Sequence, residues 1–243
     1  LCLLRLNSCA KTESTRMNTN RRLCMKSITR WLSTLLVSVL LTGPLAAAEY
    51  AEGKQYLRLS KPQPTTTPDK IEVVELFWYG CPHCYELEPH LQKWLETKPG
   101  DVEFVRMPAV LGQRWVLLGK AYYTAELLGV TETIHPALFE ALHDKKQKLN
   151  DEAAVQDLFV AHGVSAEDFR NTFNSFAVSV KMNNAKSMTR RYGLTGVPTV
   201  IVNGTFSTSG RQAGGNAGII RVVDYLVAQE RDRMASAADT DKN

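Results

Sequence analysis

Ile71-Glu72-Val73-Val74-Glu75-Leu76-Phe77-Trp78-Tyr79-Gly80-Cys81-Pro82-His83-Cys84 is the stretch on which the fold turns. Residues Ile71–Trp78 are β-branched, aromatic and apolar, the composition of a buried strand. From Tyr85 to Thr97, Leu87, Leu91, Trp94 and Leu95 recur at helical spacing, and Pro89 predicts a kink within that helix. A Cys-x-x-Cys motif therefore stands where a strand turns into a helix. Pro82 suits the first helical position, where its missing N–H costs nothing. The unpaired N–H groups and the dipole of that helix end favour negative charge. Cys81 is thus expected to ionise at a lower pH than a free thiol. One helical turn places Cys84 within reach of Cys81 for a disulfide.

Three other readings compete with redox chemistry. Two buried structural thiols could share this spacing by chance. Half of a zinc site needs two further ligands, and the sequence holds no second Cys-x-x-Cys and no His-x₃₋₅-His. A purely structural disulfide over so short a loop stabilises little. Redox exchange is the stronger reading.

Phe77-Trp78-Tyr79-Gly80-Cys81-Pro82-His83-Cys84-Tyr85 resembles the active site of the DsbA family of thiol–disulfide oxidoreductases. Gly193-Leu194-Thr195-Gly196-Val197-Pro198-Thr199 resembles the second signature of that family, a loop with a cis-proline. The resemblance runs from about Tyr50 to Arg231, and the two motifs together are far more specific than either alone. It implies an α/β thioredoxin fold with an inserted all-helical domain. It also implies a disulfide oxidase that needs no cofactor and holds no metal. Cys81 and Cys84, with Pro82 and His83 between them, would form its redox centre. Val197 and Pro198 would dock an extended client peptide through main-chain contacts, a form of strand addition. The expected clients are unfolded or newly exported cysteine-containing proteins, and the reoxidant a quinone-linked membrane partner of the DsbB type. Glu75 occupies a position where the family also carries an acid. It reads either as a solvent-facing residue by alternation or as a buried carboxylate that moves the Cys84 proton. Glu88 lies four residues after Cys84 on the same helix face. It is a candidate for tuning the pair, although a solvated glutamate is the expectation.

The remaining sequence divides around these motifs. The whole chain of 243 residues carries 29 basic and 25 acidic residues, a net charge of +4. Residues 1–48 hold seven of the basic and one of the acidic residues, which leaves 22 and 24 in the remainder. That near-neutral remainder argues against nucleic acid as a partner. The first methionine is Met17, and residues 1–16 read as an upstream extension. Arg21, Arg22, Lys26 and Arg30 form a basic region, Trp31–Leu41 an apolar one, and Ala46-Ala47-Ala48 a small-residue cleavage site. Together they read as a cleavable signal peptide for export to the periplasm, by the general or, given Arg21-Arg22, the twin-arginine route. An uncleaved anchor is the alternative, disfavoured by Gly43, Pro44 and the alanine run. Removal of this segment also removes Cys2, Cys9 and Cys24 and leaves Cys81 and Cys84 as a single pair.

Residues 49–109 are expected to form the first part of the thioredoxin-like domain, with a short strand at Gln55–Leu59, a proline-rich loop at Lys61–Pro68 and a further strand at Asp101–Met107. The strand–helix–strand order predicts a parallel pair. Residues 110–186 read as the inserted helical domain, capping the site with hinges at both crossings. Its helices are expected at Trp115–Leu128, Thr133–His143, Asp151–His162 and Ala166–Phe173. Gly129, Gly163 and Gly193 act as stops and Ser165 as a cap. A longer helix, Ser175–Tyr192, leads back. Residues 187–234 complete the thioredoxin-like domain. There Asn203-Gly204 is a tight hairpin turn between Thr199–Asn203 and Thr205–Ser209, a better account of Asn203-Gly204-Thr205 than glycosylation. A final helix spans Ala217–Arg233, and residues 235–243 read as a disordered polar tail.

Two other functions fit the same fold: a disulfide isomerase or reductase, and a client-binding chaperone without redox turnover. The intact cysteine pair disfavours the chaperone, and the lack of a dimerisation extension before residue 71 disfavours the isomerase. The signal-peptide reading predicts a mature protein that starts at Glu49. N-terminal sequencing of protein from the cell envelope checks this, and retention of Met17 overturns it.

Overall fold

The computed structural model describes residues 50–240, with side chains through residue 237. The expected signal segment, its expected cleavage after Ala48 and the last three residues lie outside the described residues. Residues 50–240 belong to one compact unit. Its sheet has five strands in the order β1-β5-β4-β2-β3: β1 (Leu57–Arg58), β2 (Ile71–Phe77), β3 (Val102–Pro108), β4 (Thr199–Val202) and β5 (Phe206–Ser209). As the strand–helix–strand order predicts, β2 and β3 pair in parallel. All other pairings are antiparallel.

Between β2 and β3 runs helix α1 (Pro82–Thr97), with Pro89 inside it. After β3, a 3₁₀ turn at Gln113–Trp115 leads into α2 (Val116–Leu127), α3 (Thr131–His143), α4 (Glu152–Ala161), α5 (Ala166–Phe173) and α6 (Phe176–Arg191). A single turn, α7 (Gly210–Ala213), and α8 (Asn216–Thr240) close the chain. Gly129, Gly163 and Gly193 end helices at positive φ, and the Ser165 hydroxyl caps α5 by accepting from the Asp168 N–H. The C-terminal tail departs from expectation. Instead of ending near Arg233, α8 continues to Thr240. Ala235, Ala237 and Ala238 are strong helix formers, so an exposed helix propagates past the point where its apolar face ends.

Every residue of β2 is buried, because helices cover both faces of the sheet. Ile71 and Val73 face one layer, with Leu87, Leu91 and Trp94 of α1 and Ile219, Val223 and Leu226 of α8. Val74 and Leu76 face the other, with Met188 of α6 and Tyr192. Alternation therefore sends Glu75 to the α1 side with Val73, where it is fully buried. The reading of Glu75 as solvent-facing by alternation is therefore wrong, because that face of the sheet is covered as well.

A third core joins the end of β2 to the inserted helices. Phe77, Tyr79, Cys81 and Cys84 pack in one cluster with Ile134, Leu138 and Phe139 of α3, and with Phe159, Phe169 and Val178 beyond. The helices thus share their core with the cysteine turn and have no separate core of their own. Movement at the two crossings would have to open that shared packing.

The β4–β5 turn is held from two sides. Asn203 and Gly204 adopt φ of 49° and 58°, the left-handed pair that a two-residue hairpin demands. The Asn203 side-chain amide donates to buried Glu230 of α8 at 2.6 Å, and the Gln63 N–H donates to the Gly204 carbonyl at 2.8 Å. A Cβ on Gly204 would collide with the Gln63 carbonyl oxygen. Gly204→Ala is expected to lower stability by about 1–3 kcal/mol, read from the denaturant midpoint.

Candidate active site

Cys81 is the residue preceding α1, in extended backbone (φ −94°, ψ 115°), and Pro82 fills the first helical position. No side chain caps this helix end. The Cys81 N–H donates to the Trp78 carbonyl at 2.9 Å, and Cys81 O accepts from the Cys84 N–H at 3.1 Å, so the turn is fixed by its own backbone. The first-turn amides of His83 and Cys84 also act on the Cys81 sulfur, the Cys84 amide in addition to its bond to the carbonyl. The pair is present as two thiols. Cys81 is 9% exposed and Cys84 wholly buried, so Cys81 is the accessible member of the pair only by comparison with its partner.

Their acidities diverge accordingly. The hydrogen bond from the Cys84 thiol is the leading cause that lowers Cys81. Burial opposes it, the amides of Cys84 and His83 add to it, and the charge of His83 contributes least. The Cys81 pKa falls to about 6. Burial pushes Cys84 well above the ordinary thiol range, helped by the same hydrogen bond and by the charges of Cys81 and Glu75. His83 itself adds little. Its side chain is 71% exposed and lies 3.1 Å from Glu86, whose hydrogen bond and charge raise the histidine above its usual value. A solvated imidazole paired to a carboxylate gives less to Cys81 than a buried thiol donor does.

The Val197–Pro198 bond is cis, as the loop signature predicts. It brings the Val197 carbonyl to 3.5 Å from the Cys81 sulfur, which donates to it as a thiol. Val197 and Pro198 line a groove of about 940 Å³ with His83, Glu86, Arg211 and Asn216. Trp78 stacks on Trp115, with ring centres 4.5 Å apart and planes at 14°. Phe77 and Tyr79 are core, as expected.

Beneath the cysteines lies a buried ionic group. Arg106 of β3 reaches Glu88 of α1 with Nη2 at 2.9 Å, and its Nε lies 3.3 Å from Glu75 of β2. Neither Glu75 oxygen accepts a well-formed hydrogen bond among the described residues. Burial, and next the charge of Glu88, raise Glu75 to about 8 against the pull of Arg106. Glu75 is therefore a neutral acid at pH 7. Glu88 corrects the expectation of a solvated residue. Its side chain is only 13% exposed, tied to Arg106 and, at 3.1 Å, to His135 of α3. Burial opposes its ionisation, but the hydrogen bond from His135 and the charge of Arg106 hold it below the usual carboxylate range.

Sequence reasoning missed Arg106 and His135 as members of this group. The alternating pattern of β3 marks Arg106 as one polar residue among several, and His135 sits within an apolar helical run. Two further contacts tie α3 and its C-terminal end to the cysteine turn. The His143 ring Nε2 donates to the Tyr79 carbonyl at 2.8 Å, and the Tyr85 hydroxyl donates to Asp144 at 2.6 Å. Among the described residues no cluster suited to a metal ion occurs, and no helix is long and apolar enough to cross a membrane.

A family model for the DSBA-like thioredoxin domain matches residues 102–226. The thiol:disulfide interchange protein DsbA of Pseudomonas aeruginosa is 44% identical over 201 residues, covering 82% of this chain and 95% of that protein. The corresponding protein of Burkholderia cepacia is 36% identical over 206 residues, 83% of this chain and 97% of its own length. Among solved structures, Pseudomonas aeruginosa DsbA superposes with a TM-score of 0.75 at 44% identity, over 78% of this chain and 98% of that one. The oxidoreductase DsbA from Xylella fastidiosa gives 0.70 at 33% identity, over 75% and 98%. With an ionisable cysteine at a helix start, a buried partner one turn on and a cis-proline loop beside them, this chain belongs to the DsbA family of thiol:disulfide interchange proteins.

Proposed function

We propose that this protein is the periplasmic donor of disulfides to newly exported, cysteine-containing proteins, with Cys81–Cys84 as the bond it gives away. The observation that carries this reading is the split between the two thiols: Cys81 lowered to about 6, Cys84 raised and buried. A thiolate stabilised in the reduced protein makes its disulfide the stronger oxidant.

The exchange runs in two steps. A client thiolate attacks the Cys81 sulfur; the client–Cys81 bond forms, the Cys81–Cys84 bond breaks, and Cys84 leaves with the electron pair. Cys84 is too basic to remain a thiolate, and Glu75, protonated at pH 7, supplies its proton. In the second step another client thiolate attacks the client sulfur of the mixed disulfide. Cys81 departs as a thiolate, held by the Cys84 thiol and the helix-start amides. The client leaves oxidised by two electrons and the protein reduced by two. Glu88 acts behind Glu75 by fixing a negative charge beside Arg106. Val197 and Pro198 receive the client backbone. Once Cys81 ionises it can no longer donate to the Val197 carbonyl, which becomes available to a client N–H. Regeneration requires a membrane-bound oxidant that accepts two electrons, of the DsbB type.

Equilibration of Cys81–Cys84 with glutathione tests the direction of transfer. An oxidase gives a couple far more oxidising than the glutathione pool, and a couple near or below that pool overturns the reading in favour of a reductase. The same electrostatics predict an order among variants. Titrated by thiolate ultraviolet absorbance, Cys84→Ala should raise the Cys81 pKa by more than one unit, and His83→Leu by less than about one unit. The Cys81 pKa is depressed in the folded reduced protein. Its contribution is therefore present above the unfolded thiol's pKa and lost as pH falls through about 6. Thermal melts of the reduced protein should show that loss, and melts of the oxidised protein should not.

A further inference from the structure

His135 is a buried histidine that the exchange steps leave unused. It is 4% exposed, lies within the apolar face of α3 and bridges two groups. Its Nδ1 is 2.7 Å from the Tyr79 hydroxyl and its Nε2 is 3.1 Å from Glu88. Burial lowers its pKa in spite of the carboxylate, so the ring is neutral at pH 7 and carries one N–H. The network decides which nitrogen holds it. The Tyr79 hydroxyl can donate to Nδ1, whereas an ionised Glu88 can only accept, so the proton sits on Nε2 and points at Glu88.

The two carboxyls on Arg106 are therefore not equivalent. Glu88 receives Arg106 Nη2 at 2.9 Å and the imidazole N–H, while Glu75 has only Arg106 Nε at 3.3 Å. One guanidinium cannot neutralise both carboxylates, one wholly buried and one partly so, and a proton must remain on one of them. We propose that His135 is a positioning residue that places this shared proton on Glu75, the carboxyl whose charge bears on Cys84, by donating Nε2–H to Glu88 and fixing the negative charge there. The groups that face this pair are Tyr79 from the end of β2, Cys84 and Glu88 from α1, Arg106 from β3, Tyr122 from α2 and Glu132 from α3. Burial raises both tyrosines far from neutrality, so neither competes for the proton near pH 7. Glu88, Arg106 and His135 line a partly open cavity of about 300 Å³, and Glu75 lies behind them.

The proposal rests on Glu75 as proton donor to Cys84, and the experiment separates the two ideas. Carbon-13 labelling of the glutamate carboxyls in the full exported protein lets Glu75 and Glu88 be titrated individually by NMR. In wild type, Glu88 should titrate at low pH and Glu75 near 8. In His135→Leu the Glu88 midpoint should rise and the Glu75 midpoint fall, each by about one unit, because the coupled pair then shares the proton. His135→Gln, whose amide can accept from Tyr79 and donate to Glu88, should restore the separation. Glu88→Gln, which removes the anion at a partly open position, should lower Glu75 in the same direction and serves if the leucine variant fails to fold. Unmoved Glu75 and Glu88 midpoints in His135→Leu, or an unmoved Glu75 in Glu88→Gln, overturn the proposal. The alkaline limb of the client-oxidation rate should follow the Glu75 midpoint. If the midpoints move and that limb does not, His135 stands as the residue that places the proton and Glu75 loses its part in the exchange.

Discussion

One guanidinium shared between two buried carboxylates is the constraint on which this active site depends. Arg106 enters from β3, Glu75 from β2 and Glu88 from α1, so the three elements of the first strand–helix–strand unit meet at one charge. Such a group is costly to desolvate and stands only when its charges and hydrogen bonds are matched. Two carboxylates against one arginine are mismatched by one proton. The structure keeps the mismatch beneath Cys84, whose thiol is wholly buried. The helix start above does the complementary work, since its amides and the Cys84 thiol favour the thiolate of Cys81 and leave Cys84 basic.

Much of this was legible in the sequence. The change from β-branched residues to helical spacing at Gly80–Cys81 located the redox turn, and Pro82 marked the first helical residue. The glycines at 129, 163 and 193 and the Asn203-Gly204 pair announced their own backbone geometry, because few other residues tolerate positive φ. What stayed hidden were the contacts between elements. Arg106 is 18 residues from Glu88, and His135 is 47 residues away, on a helix whose pattern reads simply as core. No periodicity within one segment reports that three segments converge. The same limit misled the reading of Glu88, whose position on α1 looked open until α3 covered it. It also misled the reading of α8, whose last turns extend with no core to mark their end.

The inserted helices are better regarded as part of the redox centre than as a lid. They hold the residues around the cysteine pair at several points: His143 on the Tyr79 carbonyl, His135 on the Tyr79 hydroxyl, and Asp144 on the Tyr85 hydroxyl. Tyr79 precedes the pair and Tyr85 follows it, so the turn between them is clamped at both ends. Because a thiolate is stabilised by amides only when they point at it, this clamp links the packing of helices far along the chain to the acidity of Cys81.

The stacked indoles give the molecule a further property. Trp78 and Trp115 lie nearly parallel at 4.5 Å, and the Trp78 carbonyl accepts the Cys81 N–H. Two transition dipoles at that separation couple strongly, so their absorption is that of a pair rather than of two chromophores. The strand end that carries the redox cysteine and the 3₁₀ turn that opens the helical insertion each contribute one ring. The near-ultraviolet dichroism of the protein is thus an intrinsic optical ruler across the junction between its two parts, and it sits one hydrogen bond away from the reacting sulfur.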